Sequence, residues 1–151
     1  SADYADLLKA TSLLTRNHAD VLRAFGRMAF NVLAHNRDDH VKNFAFILDD
    51  VAGSAKSSPP SGGWALSPAY DLLYTPGPAG EHTMTLAGEG RNPARTHMLA
   101  LAEQAGMSKP DAAAIIDEVQ AAVSRWNDYA AQAGVSKTGS RQVAQELPEL
   151  T

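Results

Sequence analysis

His35-Asn36-Arg37-Asp38-Asp39-His40-Val41-Lys42-Asn43-Phe44-Ala45-Phe46-Ile47-Leu48 is the stretch on which the fold turns. Its first six residues are all polar, too costly to bury together and matching no helical stripe, so they read as a loop. Just upstream, Val21, Leu22, Phe25, Met28, Ala29, Val32 and Leu33 recur at helical spacing, predicting a helix from about Ala19 to Ala34 with Asn17 as N-cap. Just downstream, the aromatic-rich run Phe44 to Leu48, closed by Asp49-Asp50, predicts a short buried strand.

Working outward, Tyr4, Leu7, Leu8 and Leu14 predict a short amphipathic helix ahead of the first one. Residues 51 to 63, with Gly53, Pro59-Pro60 and Gly62-Gly63, read as a flexible connector, and Trp64-Ala65-Leu66 returns as the second strand of a hairpin. Ser67 to Leu73 leads into a glycine- and proline-rich irregular stretch, Tyr74 to Arg91. Helix resumes at Asn92-Pro93, taken as N-cap and first helical position, and stops at Gly106. Ser108, Pro110 and Asp111 open a further helix lined by Ile115, Ile116, Val119, Ala122, Val123 and Trp126 through to about Gln132, and a last one spans about Gly139 to Leu147. The expectation is a single domain over residues 1–151, mainly α, with helices around a small two-stranded β-hairpin that bears the loops.

The bulk numbers suit that reading. At 44% hydrophobic and 20% charged residues, 151 residues can bury a real core. A formal net charge of −4 argues against direct binding to nucleic acid or anionic membranes. There is no cysteine, so neither disulfides nor thiolate metal sites arise, which suits a reducing cytoplasm. No run of about eighteen apolar residues occurs that could span a membrane.

The polar loop carries a chemical pattern. Protein kinases transfer phosphoryl groups with a loop His-Arg-Asp-x-x-x-x-Asn, whose Asp accepts the substrate hydroxyl proton and whose Asn helps hold magnesium. Arg37, Asp38 and Asn43 stand at that spacing. The template needs a second metal carboxylate after a strand hairpin, and Asp71 follows the predicted one. One carboxylate and one amide are a plausible protein share for Mg²⁺, which prefers hard oxygen ligands plus water and phosphate oxygens. Lys42, beside Asn43, could neutralise charge on the transferred group.

Phe30-Asn31-Val32-Leu33, Asn36-Arg37-Asp38-Asp39-His40-Val41-Lys42-Asn43-Phe44 and Leu66-Ser67-Pro68-Ala69-Tyr70-Asp71-Leu72 resemble the C-terminal part of HipA-like serine/threonine kinases, the toxins of bacterial toxin–antitoxin pairs. Gly80-Glu81-His82-Thr83-Met84 and Gly88-Glu89-Gly90-Arg91-Asn92-Pro93 are similar to later segments of the same family, so the resemblance covers essentially the whole chain. It implies a kinase-like C-lobe, with Asp38 as catalytic base, Asn43 and Asp71 as magnesium ligands, and His40 and Lys42 on motif positions between them. It also implies ATP and Mg²⁺ as cofactors, a protein substrate presenting Ser or Thr, and a HipB-like DNA-binding antitoxin as partner. Such kinases carry an N-terminal ATP-gripping lobe with a glycine-rich loop and a lysine. No glycine precedes Gly26 and the start Ser1-Ala2 lacks an initiator methionine, so the chain is expected to be a piece of a longer protein, inactive by itself.

Plainer readings compete. An adjacent Asp pair most often forms a solvated turn, and only the conjunction with Asn43 and Asp71 lifts this pair above that. Asp39 rivals Asp38 as base, and spacing to Asn43 decides for Asp38. His40 is expected to orient a neighbour by hydrogen bonding; the alternative joins Asp38, Asp39 and His40 as ligands of a metal-dependent phosphohydrolase. A non-catalytic scaffold, for an antitoxin or a separate N-lobe, is the other class. His18, His35, His82 and His97 show no paired ligand spacing and read as surface or locally bonded residues.

Overall fold

The computed structural model describes residues 2–48 and 63–147 of the 151. Helix α1 (Tyr4–Thr15) is capped by Asp3, whose carboxylate accepts from Ala5 N–H, and α2 (His18–Leu33) by Asn17, which accepts from Ala19 N–H. Both caps satisfy a backbone donor that the helix start leaves free. Strand β1 (Phe46–Leu48) pairs antiparallel with β2 (Trp64–Leu66), Phe46 opposite Leu66 and Leu48 opposite Trp64. Then follow α3 (Arg95–Gln104), α4 (Lys109–Ser124), α5 (Trp126–Gln132) and α6 (Lys137–Glu146). The mainly helical fold with one small hairpin agrees with the sequence reading. The connector signals at Asp49-Asp50, Gly53, Pro59-Pro60 and Gly62 lie outside the described residues.

The core is organised on α2, which packs against α1, α4 and β2. Its stripe Val21, Ala24, Phe25, Met28, Ala29, Val32 and Leu33 is buried against Tyr4 and Leu8 of α1, Met98 and Leu101 of α3, and Ile116 of α4. Each large side chain removed from water this way contributes roughly 1.5–3 kcal/mol. Two polar contacts fasten the hairpin to the same helix: buried Asp20 accepts from Leu66 N–H at 3.3 Å, and the Arg27 guanidinium donates to the Ser67 carbonyl. Among the described residues no helix is long and apolar enough to cross a membrane.

Four expectations are corrected. The hairpin is not buried: Ile47, Leu48 and Trp64 are 51%, 48% and 43% exposed, because a two-stranded ribbon covers only one face against α1 and α2. The strand also starts later than Phe44, whose ring instead meets Tyr4 edge-on with centroids 6.0 Å apart. Helix α3 begins at Arg95 rather than Pro93, since the Glu89 carboxylate holds the N–H groups of Arg91 and Asn92 in the preceding loop. The long helix expected to reach Gln132 divides at Arg125, where Ser124 Oγ donates back to the Ala121 carbonyl and Arg125 N–H turns to Ala122. Beyond that break α5 and α6 pair on each other, Trp126 Nε1 donating to the Ser140 carbonyl at 2.9 Å.

Candidate active site

The site begins where α2 ends. Asn36 N–H bonds the Asn31 carbonyl at 2.9 Å and His35 N–H the Val32 carbonyl at 3.4 Å, with His35 in the left-handed region at φ 51°. This is a Schellman termination, and it throws the chain sharply off the helix axis into the polar loop. The loop does not hang free. Asn36 forms a parallel bridge with Thr75, where Thr75 N–H donates to the His35 carbonyl at 3.0 Å, and Thr83 N–H donates to the Arg37 carbonyl at 3.2 Å. The second irregular stretch is thus laid alongside the first.

Asp38 and Asp39, adjacent in sequence, have opposite environments. Asp38 is anchored only through its backbone: its N–H donates to Thr75 Oγ1 at 3.0 Å, its carbonyl accepts from Asn43 Nδ2 at 2.9 Å, and its side chain is 57% exposed. Asp39 is fully buried. Its carboxylate accepts from Tyr4 OH at 2.7 Å, Thr83 N–H at 2.8 Å and Met84 N–H at 3.3 Å, and His82 Nδ1 lies 2.9 Å away, a contact that an N–H on that nitrogen satisfies. Four donors make a buried carboxylate tolerable where an unpartnered one would be very costly. Burial and the Asp39 charge together push the Tyr4 phenol well above its usual pKa, so it stays protonated and keeps donating.

From Tyr4 the polar contacts continue through the core. Asn31 Nδ2 donates to Tyr4 OH at 2.9 Å, and Asn36 Nδ2 donates to Asn31 Oδ1 at 3.0 Å and to the Asp71 carbonyl at 3.1 Å. Thr75 Oγ1 lies 3.3 Å from Asn36 Oδ1, to which its hydroxyl donates. Asp71 itself sits at φ 55°, a left-handed conformation costing a non-glycine residue about 1 kcal/mol, and the Asn36 contact holds it there.

The expected site residues therefore sort as follows. Asn43 and Asp71 line one small recess together with the polar Arg27, Asn31, Asn36 and Tyr70 and the apolar Phe44, Ala69 and Leu72. Asn43 ends a 3₁₀ turn, Val41–Asn43, which exposes Lys42, and Tyr70 OH bonds the Lys42 carbonyl at 2.7 Å, tying the two loops again. His40 Nε2 stands 3.9 Å from Asp38 Oδ1, too far for the orienting hydrogen bond expected of it. The Asp-Asp-His metal cluster does not form: the Asp39 carboxylate is committed inward, and among the described residues no three His, Asp or Glu side chains are grouped as a metal would require. His82 is also corrected, from a surface or locally bonded histidine to a buried partner of a residue 43 positions away. His97 is locally bonded as expected, its Nδ1 accepting from Ala94 N–H at 3.0 Å. Tyr4, Asn31, Asn36, Thr75 and His82 escaped the sequence reading. Asn31 alone left a local signal, a carboxamide set within the apolar stripe between Met28 and Leu33.

The sequence that builds this site matches a known domain family. The family model of the HipA-like C-terminal domain covers residues 1–126. The chain belongs to that family. The matched span takes in α1 to α4 and every loop residue of the site, and ends at Trp126, where α5 begins. No curated protein and no solved structure matches the chain. In this HipA-like C-terminal domain the donor set at the recess suits a hard divalent cation such as Mg²⁺. Asn43 Nδ2 is occupied by the Asp38 carbonyl, which leaves the amide oxygen for a ligand. Asp71 is held through its backbone, and its carboxylate accepts no hydrogen bond from a described residue.

Proposed function

We propose that this HipA-like domain supplies the catalytic base and the metal-holding side chains of an ATP-dependent serine/threonine protein kinase. The observation that carries this reading is the convergence of Asn43 and Asp71, 28 positions apart, on one small recess, with Asp38 pinned beside it by Asn43 itself. Asp38, exposed and fixed at both its N–H and its carbonyl, serves to accept the proton of an incoming Ser or Thr hydroxyl. Asn43 and Asp71 hold Mg²⁺, which when bound neutralises phosphate charge. Lys42, exposed on the adjoining turn, faces the transferred γ-phosphoryl group, and His40 adds charge near Asp38 when protonated. A protein partner, of the HipB-like antitoxin kind or an ATP-binding lobe, is supported by the exposed Ile47, Leu48, Trp64, Tyr70, Leu72 and Leu73 around the hairpin and the Asp71 loop.

The test is Asp38→Asn in the native full-length protein, following transfer of labelled γ-phosphate to protein. Activity is expected to fall at least about 100-fold, in line with the contribution of a positioned general base, with the thermal midpoint unchanged. Undiminished transfer overturns the kinase reading.

A further inference from the structure

The Asn36 carboxamide touches both halves of the candidate site. Its two N–H donors go to Asn31 Oδ1, 3.0 Å away on α2, and to the Asp71 carbonyl, 3.1 Å away on the second loop. Its oxygen accepts from Thr75 Oγ1 at 3.3 Å, and Thr75 Oγ1 in turn accepts the Asp38 N–H at 3.0 Å. Every hydrogen of that amide is used, and the group is 2% exposed, so no water competes for it. One hydrogen-bonded link, buried at Asn36, half-buried at Thr75 and exposed at its Asp38 end, therefore runs from Asp38 through Thr75 and Asn36 to Asp71, with Asn31 fastening its middle to the core helix.

We propose that Asn36 and Thr75 are positioning residues that set the separation and orientation of Asp38 relative to Asp71, so that metal affinity and turnover depend on them. The inference rests on the metal-holding and base roles proposed for Asp71, Asn43 and Asp38. The physical need for such a link is specific. Asp71 sits in a left-handed conformation on an exposed loop, and nothing in its own neighbours dictates that geometry. Asp38 is likewise exposed. Two exposed carboxylates on separate loops keep a productive spacing only when their backbones are tied to a common rigid element, and misplacement by about 1 Å can cost a hundredfold in rate. Asn36 and Thr75 touch neither carboxylate, so their influence passes entirely through the backbone of the two residues.

Asn36→Ala would open a buried site and endanger the fold, so the decisive pair is Thr75→Val, which keeps the shape and removes the hydroxyl, and Thr75→Ser, which restores it. In the native full-length protein, Mn²⁺ affinity in the presence of a non-hydrolysable ATP analogue is read by the electron paramagnetic resonance of the free ion. Because the Asp38 backbone that Thr75 holds also carries the Asn43 carboxamide, Thr75→Val is expected to weaken Mn²⁺ binding about 10-fold, at the low end of the 10–100-fold range seen when a group orienting a metal ligand is lost, to raise half-saturating Mg²⁺ in parallel, and to lower kcat. Thr75→Ser is expected to return all three towards the parent values. Unchanged Mn²⁺ affinity in Thr75→Val, or equal weakening in both variants, overturns the positioning role. Asp38→Asn, measured alongside, separates this from the kinase reading: retained phosphorylation sinks that reading, while the Mn²⁺ comparison needs no turnover and still decides on the Thr75 hydroxyl that joins Asp38 to Asn36.

Discussion

His82 Nδ1 lies 2.9 Å from the Asp39 carboxylate, with both side chains out of solvent although the two residues stand 43 positions apart in the chain. The contact closes a buried junction between the polar loop, the N-terminus of α1 and the bend at Thr83 and Met84. It makes Asp39 a structural residue, next door to an Asp38 that carries no such duty.

Stability measurements should separate those two aspartates cleanly. His82→Ala strips a partner from a buried charge and is expected to cost about 3–5 kcal/mol, with Asp39→Ala of similar size because Tyr4 OH, His82 and two backbone N–H groups lose their acceptor. Asp38→Asn, at an exposed side chain, is expected to stay within about 0.5 kcal/mol of the parent. Urea midpoints at constant slope provide the comparison, and equal losses at positions 38 and 39 would contradict the division of roles.

Gly77 supports the loop from the other side. It sits at φ 70°, and a Cβ there would collide with the Glu81 carbonyl and come within 2.6 Å of Arg37 Cβ. Neither neighbour yields easily, since one is backbone and the other is the stem of a loop residue bonded to Pro76 and Thr83. Gly77→Ala is therefore expected to destabilise by about 2–4 kcal/mol, combining left-handed strain with overpacking. Thermal denaturation of this single variant checks it, and a loss under about 1 kcal/mol would show that the turn is not so constrained.

His35 predicts a pH dependence. Burial, then the neighbouring Arg37 and His82, pull its imidazole down to about 4 from an ordinary 6.5. A histidine with a depressed folded pKa stays neutral in the native state while the unfolded chain takes up the proton first. Stability is then lost as pH falls from about 6.5 to about 4, and below that window the loss stops growing. His35→Asn removes the titration and still tolerates the left-handed backbone at φ 51°, so its thermal midpoint should fall less across that window than the parent's. Identical slopes in the two proteins would rule His35 out as a contributor.

How much of this is written locally can be judged residue by residue. The α2 stripe, the Asn17 cap, the polar break after Leu33, the Ser108 cap and the return of the chain at Trp64 all follow from side chains within a few positions of one another, and all stand where the sequence put them. Local energetics depend on neighbours at i+3 and i+4, and a single sequence displays those completely. One of the errors was local in kind: the α4 break at Arg125 hangs on one serine hydroxyl turning back on its own helix.

The sequence by itself thus determined the helical class, the hairpin and the motif residues Asp38, Asn43 and Asp71 as candidates. Only the tertiary structure decided which way each aspartate faces and what holds the two loops together. Asp38 and Asp39 are chemically identical neighbours, and no propensity distinguishes them; the difference arises because Tyr4, His82, Thr83 and Met84, 35 to 45 residues away, converge on one carboxylate and not on the other. Asn36 likewise acquires its place between Asp71 and Thr75 only once α2 has ended and the second loop has folded back on it. A buried polar group must find every partner that water supplied in the unfolded chain, and which partners are near enough is a property of the packed fold, not of the residue's neighbours in sequence.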